Sequence, residues 1–112
     1  MTTNTIQLNN LKEFTDGELI TKAISGREDS FEELVRRYQR PIINYVFRML
    51  GNYDASLDVT QEVFIKVYNS MARYSAEYKF STWLYKIAHN ASIDYLRRHN
   101  NHEQSLEAES ED

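Results

Sequence analysis

Two groups of polar residues sit at helical spacing where their types could do chemistry. The first lies in DVTQEVFIKVY, residues 58–68. Wound at about 100° per residue, Phe64, Val67 and Met71 fall on one side. Asp58, Glu62, Ile65 and Asn69 fall on the opposite side, with Gln61 at its edge. An isoleucine ringed by carboxylates and amides has the make-up of a small docking surface, an apolar anchor inside a polar rim. The same residues also suit a solvated face with one exposed hydrophobe, because single exposed apolar side chains are common. Residue types alone leave both readings open.

The second group follows. Phe80, Leu84, Ile87, Ala91 and Tyr95 make an apolar helical stripe, and Lys86, His89, Asn90, Ile93 and Arg97 lie opposite it. Trp83 and Asp94 flank that face, and the preceding segment supplies Tyr74, Tyr78 and Lys79. Cations track phosphates, aromatic rings stack on bases and an amide bonds a base edge, so the set suits a single nucleic-acid strand. The competing reading is a solvated face with its aromatics, Trp83 above all, turned into a core.

Catalytic chemistry has little support. His89, His99 and His102 lack the carboxylate spacing of a metal site, and Glu32 and Glu33 are explained by helix capping and solvent. No nucleophile elbow or glycine-rich phosphate loop occurs. A carboxylate-bridged metal bundle would need Glu-x-x-His pairs, and the chain has none. No catalytic residue, metal or cofactor is expected, and the chain is expected not to be an enzyme.

The elements that must position these groups read as almost all helix, with only three glycines and one proline in 112 residues. The expected fold is all-α, a compact bundle of about four helices. Thr15 and Glu18 have the spacing of a capping box, opening a helix over residues 16–25 that Gly26 ends. Ser30 and Glu33 have the same spacing and predict the start of a long helix that contains Pro41 and stops at Gly51. Asp54 is the expected N-cap of a third helix over residues 55–71, with Leu57, Val63, Phe64, Val67, Tyr68 and Met71 facing inward. RYSAEYK reads as a loop. Ser81 or Thr82 is expected to cap a fourth helix reaching Arg98.

The length bounds the chain to one domain, and 41% hydrophobic residues suffice for a modest core. The absence of cysteine excludes disulfides and thiolate metal sites. A cytoplasmic location is the expectation, and no apolar run is long enough for membrane insertion. The net charge of −4 hides an asymmetry. Residues 103–112 carry five acids and no Lys or Arg, which leaves 13 basic against 12 acidic residues, or +1, for residues 1–102. Within the domain, Asp54, Asp58 and Glu62 against Lys66 give −2 for residues 53–72. Arg73, Lys79, Lys86, Arg97 and Arg98 against Glu77 and Asp94 give +3 for residues 73–98. Neighbouring segments of opposite sign fit two different partner surfaces, or ordinary charge scatter.

DVTQEVFIKVYNSMARY followed by FSTWLYKIAHNASIDYLRR resembles region two of bacterial extracytoplasmic-function (ECF) sigma factors. SFEELVRRYQRPIINYVFRMLGN looks like the first part of that region. The polar residues 1–14 are expected to be flexible and the acidic, weakly hydrophobic residues 101–112 a disordered tail; the resemblance implies that residues 15–100 form the helical domain and that the tail begins an interdomain linker. It implies that Asp58, Gln61, Glu62, Ile65 and Asn69 dock on the clamp helices of the RNA polymerase β′ subunit. It implies that the loop Tyr74, Ser75, Ala76, Glu77, Tyr78 and Lys79 holds a base flipped from the non-template strand of the promoter −10 element. Asn90 matches a position that meets a base, and Lys86, Arg97 and Arg98 are placed for phosphates. An anti-sigma factor covering these surfaces is a further implied partner. The family's second domain, which reads the −35 element, has no match here; a piece of a longer protein is the favoured expectation and a naturally short protein the alternative. The rival reading is a sigma-like interaction bundle that binds polymerase or an anti-sigma factor without reading DNA.

Overall fold

Thr15 opens the first helix as its spacing predicts. Its hydroxyl accepts from the Glu18 amide at 3.1 Å, and the Glu18 carboxylate accepts from the Thr15 amide at 2.9 Å. Helix α1, Asp16–Ile24, ends at Gly26, whose φ of 105° is open to glycine at little cost. There the Arg27 amide donates to Lys22 O and the Gly26 amide to Ala23 O, the paired bonds of a Schellman motif. The computed structural model describes residues 11–75 and 77–111, of which 101–111 are described by backbone alone.

Helix α2, Glu28–Leu50, runs unbroken through Pro41 and ends at Gly51 with a φ of 73°. It does not start with the expected Ser30–Glu33 capping box. Arg27 is the N-cap, Ser30 is fully buried in the first turn, and Glu33 turns to Arg36 and Arg37 instead. Two guanidinium groups outcompete a backbone amide for one carboxylate, because charge-assisted bonds are the stronger kind.

Helix α3, Tyr53–Ser70, is capped by Asn52, which accepts from the Ala55 amide at 2.9 Å. Asp54, the expected cap, lies in the first turn, where its charge suits the helix dipole. A 3₁₀ turn, Met71–Arg73, leads into the loop. Helix α4 spans Phe80–Glu111. It starts before Ser81 and Thr82, with the Trp83 amide bonded to Lys79 O at 3.2 Å, and its backbone continues past Arg98. The side chains of the acidic segment 101–112, expected as a disordered tail, lie outside the described residues.

The four α-helices among the described residues close on one core. Leu19 and Ile20 of α1, Leu34, Ile42 and Val46 of α2, Val59, Val63 and Val67 of α3, and Leu84, Ala88 and Ala91 of α4 are among its buried members. Small residues on α4 let the helices approach, and Ser92 is tolerated there because its hydroxyl donates to Ala88 O at 2.8 Å. The inward face of α3 differs from the predicted stripe in its first half. Ala55, Ser56, Val59 and Thr60 are buried while Leu57 is half-exposed. Tyr68, expected inside, is 45% exposed and packs edge-on against Phe31. The packed chain also reaches back to Leu11, which is buried, and Phe14 packs against the core.

Candidate functional site

Asp58, Gln61, Glu62, Ile65 and Asn69 are all exposed on α3. Ile65 is 60% exposed, so it takes no part in the core. A groove of about 600 Å³ runs beside it between α2 and α3. Leu57, Asp58, Gln61, Phe64 and Ile65 form one wall, and Val35, Gln39 and Ile43 form the other. The Thr60 hydroxyl is buried in the groove lining with no hydrogen-bond partner among the described residues. The α2 wall was not readable from α3 periodicity, because it comes from a helix distant in sequence.

The loop after the 3₁₀ turn is braced by its own residues. The Tyr74 hydroxyl donates to Tyr78 O, and the Tyr78 amide donates to Ser75 O at 3.1 Å. Tyr74 is half-buried, with its ring 5.2 Å from Trp83 and 6.1 Å from Phe80. Burial pushes the Tyr74 phenol above its ordinary pKa, and the nearby Asp16 carboxylate adds to the effect. Ser75, Glu77, Tyr78 and Lys79 are exposed, and Ala76 lies outside the described residues. Trp83 is half-buried, between the core and contact readings, and joins the ring cluster rather than the solvent face.

An open cavity of about 380 Å³ lies against this loop. Tyr74, Glu77, Tyr78, Lys79, Phe80 and Ser81 form one side; Thr15, Asp16 and Gly17 at the start of α1 form the other. Sequence reasoning missed this second wall. The capping box locates the three residues at a helix start, but no local pattern says that the start faces the loop.

On α4 the predicted polar stripe is present. Lys86, His89, Asn90 and Arg97 are exposed, and Ile93, expected on the same stripe, is half-buried. His89 lies 3.1 Å from the Tyr45 hydroxyl, which ties this edge of the stripe to α2. Arg98 is also exposed, in a surface pair with Asp94 at 3.2 Å. Such pairs contribute little to stability, so Arg98 can exchange its partner for a phosphate at small cost.

Behind the cavity lies a charged cluster. Arg37 reaches Glu33 and Asp16, each at 3.0 Å, and donates to Leu11 O at 2.9 Å and Lys12 O at 3.2 Å. The second Asp16 oxygen accepts from the Tyr38 hydroxyl. Burial alone would raise the Glu33 carboxyl, but hydrogen bonds from Arg37 and Arg36 bring it below the ordinary range. Burial, and then the bond to Asp16, push the Tyr38 phenol far above its usual value.

The bundle thus carries a polar-rimmed apolar groove on one helix pair and a basic, aromatic loop-and-helix surface elsewhere. Residues 34–102 match the family model described as Sigma-70 region 2, and the chain belongs to that family. It is 39% identical over 79 residues to the ECF RNA polymerase sigma factor SigW of Bacillus subtilis, which covers 70% of this chain and 42% of that protein. It is 36% identical over 85 residues to the ECF RNA polymerase sigma-E factor of Escherichia coli K12, which covers 76% of this chain and 44% of that protein. The chain thus spans less than half the length of these curated relatives. An engineered region 2 of sigmaE, solved by NMR in complex with GTAAAA, superposes with a TM-score of 0.74 at 37% identity, covering 80% of this chain and 94% of that one. The loop cavity's second wall at residues 15–17 lies outside the matched stretch 34–102.

Proposed function

We propose that this chain is the polymerase-docking and −10-reading domain of an ECF sigma factor, acting in transcription initiation by binding rather than by covalent chemistry. The observation that carries the proposal is the likeness to a region 2 bound to GTAAAA, which extends over nearly all of that domain. The loop cavity is roomy enough for an unstacked base, and stacking on an aromatic side chain is worth about 1–3 kcal/mol per base. Tyr78, 64% exposed, is the ring most open to such a base. Extruding a base costs a few kcal/mol. Stacking in the cavity and phosphate contacts from Lys86, Arg97 and Arg98 offset that cost. Asn90 reads a base edge. Asp58, Gln61, Glu62, Ile65 and Asn69 meet the β′ clamp helices, and an anti-sigma factor regulates the domain by covering these surfaces. Its place of action is the cytoplasm.

The test is fluorescence anisotropy with labelled single strands, GTAAAA against permuted sequences, at two salt concentrations. The parent is expected to prefer GTAAAA-like strands. Asn90→Ala should lose that preference by about 1–3 kcal/mol, the value of one good base contact. Arg97→Ala should weaken all strands alike and reduce the salt slope by about 0.7, the single-strand value for one phosphate. A parent that binds every strand equally, with Asn90→Ala indistinguishable from it, would leave an interaction bundle that does not read DNA.

A further inference from the structure

We propose that Asp16 is a positioning residue for the recognition loop, acting through Tyr38. The inference rests on the reading of the loop as the strand-capturing element, but its geometry stands apart from any DNA. Asp16 is fixed from one side by Arg37, which is itself held by Glu33 and by Leu11 O and Lys12 O. From the other side Asp16 accepts the Tyr38 hydroxyl. That bond sets the Tyr38 ring, which packs 5.6 Å from Phe80, the first residue of α4. Phe80 in turn packs against Tyr74 and Trp83, and the Tyr74 hydroxyl ties down Tyr78 O. Both ends of the loop are thereby referred to one carboxylate at the start of α1.

The physical logic is that of a supported site. A loop of exposed residues holds a precise shape only when its anchors are locked by packing and hydrogen bonds behind them. Tyr74 and Phe80 are the two anchors, and the ring between them and the charged cluster is Tyr38. A phenol bonded to an ionised carboxylate is more strongly fixed than one bonded to water. Asp16 also lines the cavity itself. A change at Asp16 therefore alters the cavity's far wall and its loop wall together.

Trp83, the chain's only tryptophan, reports on the loop without added probes. Its ring sits 5.2 Å from Tyr74 and 6.0 Å from Phe80. The experiment compares the parent with Tyr38→Phe, Asp16→Ala and the double variant. Asp29→Asn, which removes the charge from one member of the Arg27–Asp29 pair, is the control. Each protein is measured by acrylamide quenching of Trp83, thermal unfolding, and binding of GTAAAA and permuted strands. Tyr38→Phe keeps the ring and removes only the hydroxyl, so folding is preserved if Asp16→Ala is too disruptive. The expected result is stronger quenching and a red-shifted emission in both single variants, with the double variant no worse than either. Affinity for the preferred strand should fall about tenfold, the scale of one hydrogen bond to a charged group. Binding of permuted strands and the salt slope should stay unchanged. Unchanged quenching in both variants overturns the inference. So does an equal loss for every strand that follows the melting temperature, because that is the signature of general destabilisation. Altered quenching in a parent background that shows no strand preference supports the loop's positioning and counts against DNA reading alone.

Discussion

Ile65→Glu is expected to weaken binding to the RNA polymerase core about a hundredfold while leaving the domain folded. Burying an isoleucine side chain contributes about 1.5–3 kcal/mol. The substitution removes that gain and forces a carboxylate into the contact, which costs more unless it finds a partner. Together the two effects exceed about 2.7 kcal/mol, two factors of ten. Folding is spared because Ile65 is 60% exposed and makes no core contact. The new glutamate adds an unfavourable i,i+3 neighbour for Glu62, worth only tenths of a kcal/mol. The measurement is a titration of core enzyme with labelled domain, alongside thermal melts. Wild-type affinity in the variant would show that the exposed isoleucine is an ordinary surface residue and that docking uses another face. The same variant should retain its preference among single strands, because Asn90 and the loop lie on a different part of the bundle.

Replacement of Glu33 carries the largest expected effect on stability. The residue is 5% exposed and carries two arginine bonds, to Arg36 at 2.7 Å and to Arg37 at 3.0 Å. Removing one partner of a buried pair typically costs about 3–5 kcal/mol. Arg36 is largely in solvent and Arg37 retains Asp16, so Glu33→Gln is expected near the lower limit, about 3 kcal/mol. The pH dependence follows from the direction of the shift. A carboxyl lowered in the folded state stabilises the protein above its unfolded pKa of about 4.3, and the contribution is lost as pH falls through the lower folded value. The parent should therefore lose stability on acidification through that window more steeply than Glu33→Gln. Urea unfolding at several pH values reads both quantities. Parallel curves for the two proteins, or a loss under 1 kcal/mol at neutral pH, would show that solvent replaces the arginine bonds without penalty.

The two predictions concern carboxylates and apolar residues that look alike in one dimension. Glu62 and Glu33 are both helical glutamates, yet one is solvated and the other lies inside a charged cluster. Ile65 and Ile42 are both helical isoleucines, yet one is exposed and the other fully buried. For Ile65 the local pattern was sufficient, because its neighbours at helical spacing are polar. For Glu33 it was misleading. The serine three residues earlier suggested a cap, and the arginines that claim the carboxylate lie on the following turn.

Much of the molecule follows from short-range chemistry. The first capping box, the glycine stops at Gly26 and Gly51, the outward placement of Ile65 and the polar stripe of Lys86, Asn90 and Arg97 are consequences of spacing within one helix. Backbone hydrogen bonding and the helical period act over a few residues, so local sequence determines them. Tertiary structure alone decided what faces what. It set Val35, Gln39 and Ile43 across from α3, closed the loop cavity with residues 15–17, turned Tyr68 outward and drew Arg37 onto Asp16. Those contacts join residues far apart in the chain, and no helical period encodes which helix will cover a given face. The physical reason is that burial and charge pairing are settled only when all four helices compete for the same partners in one core.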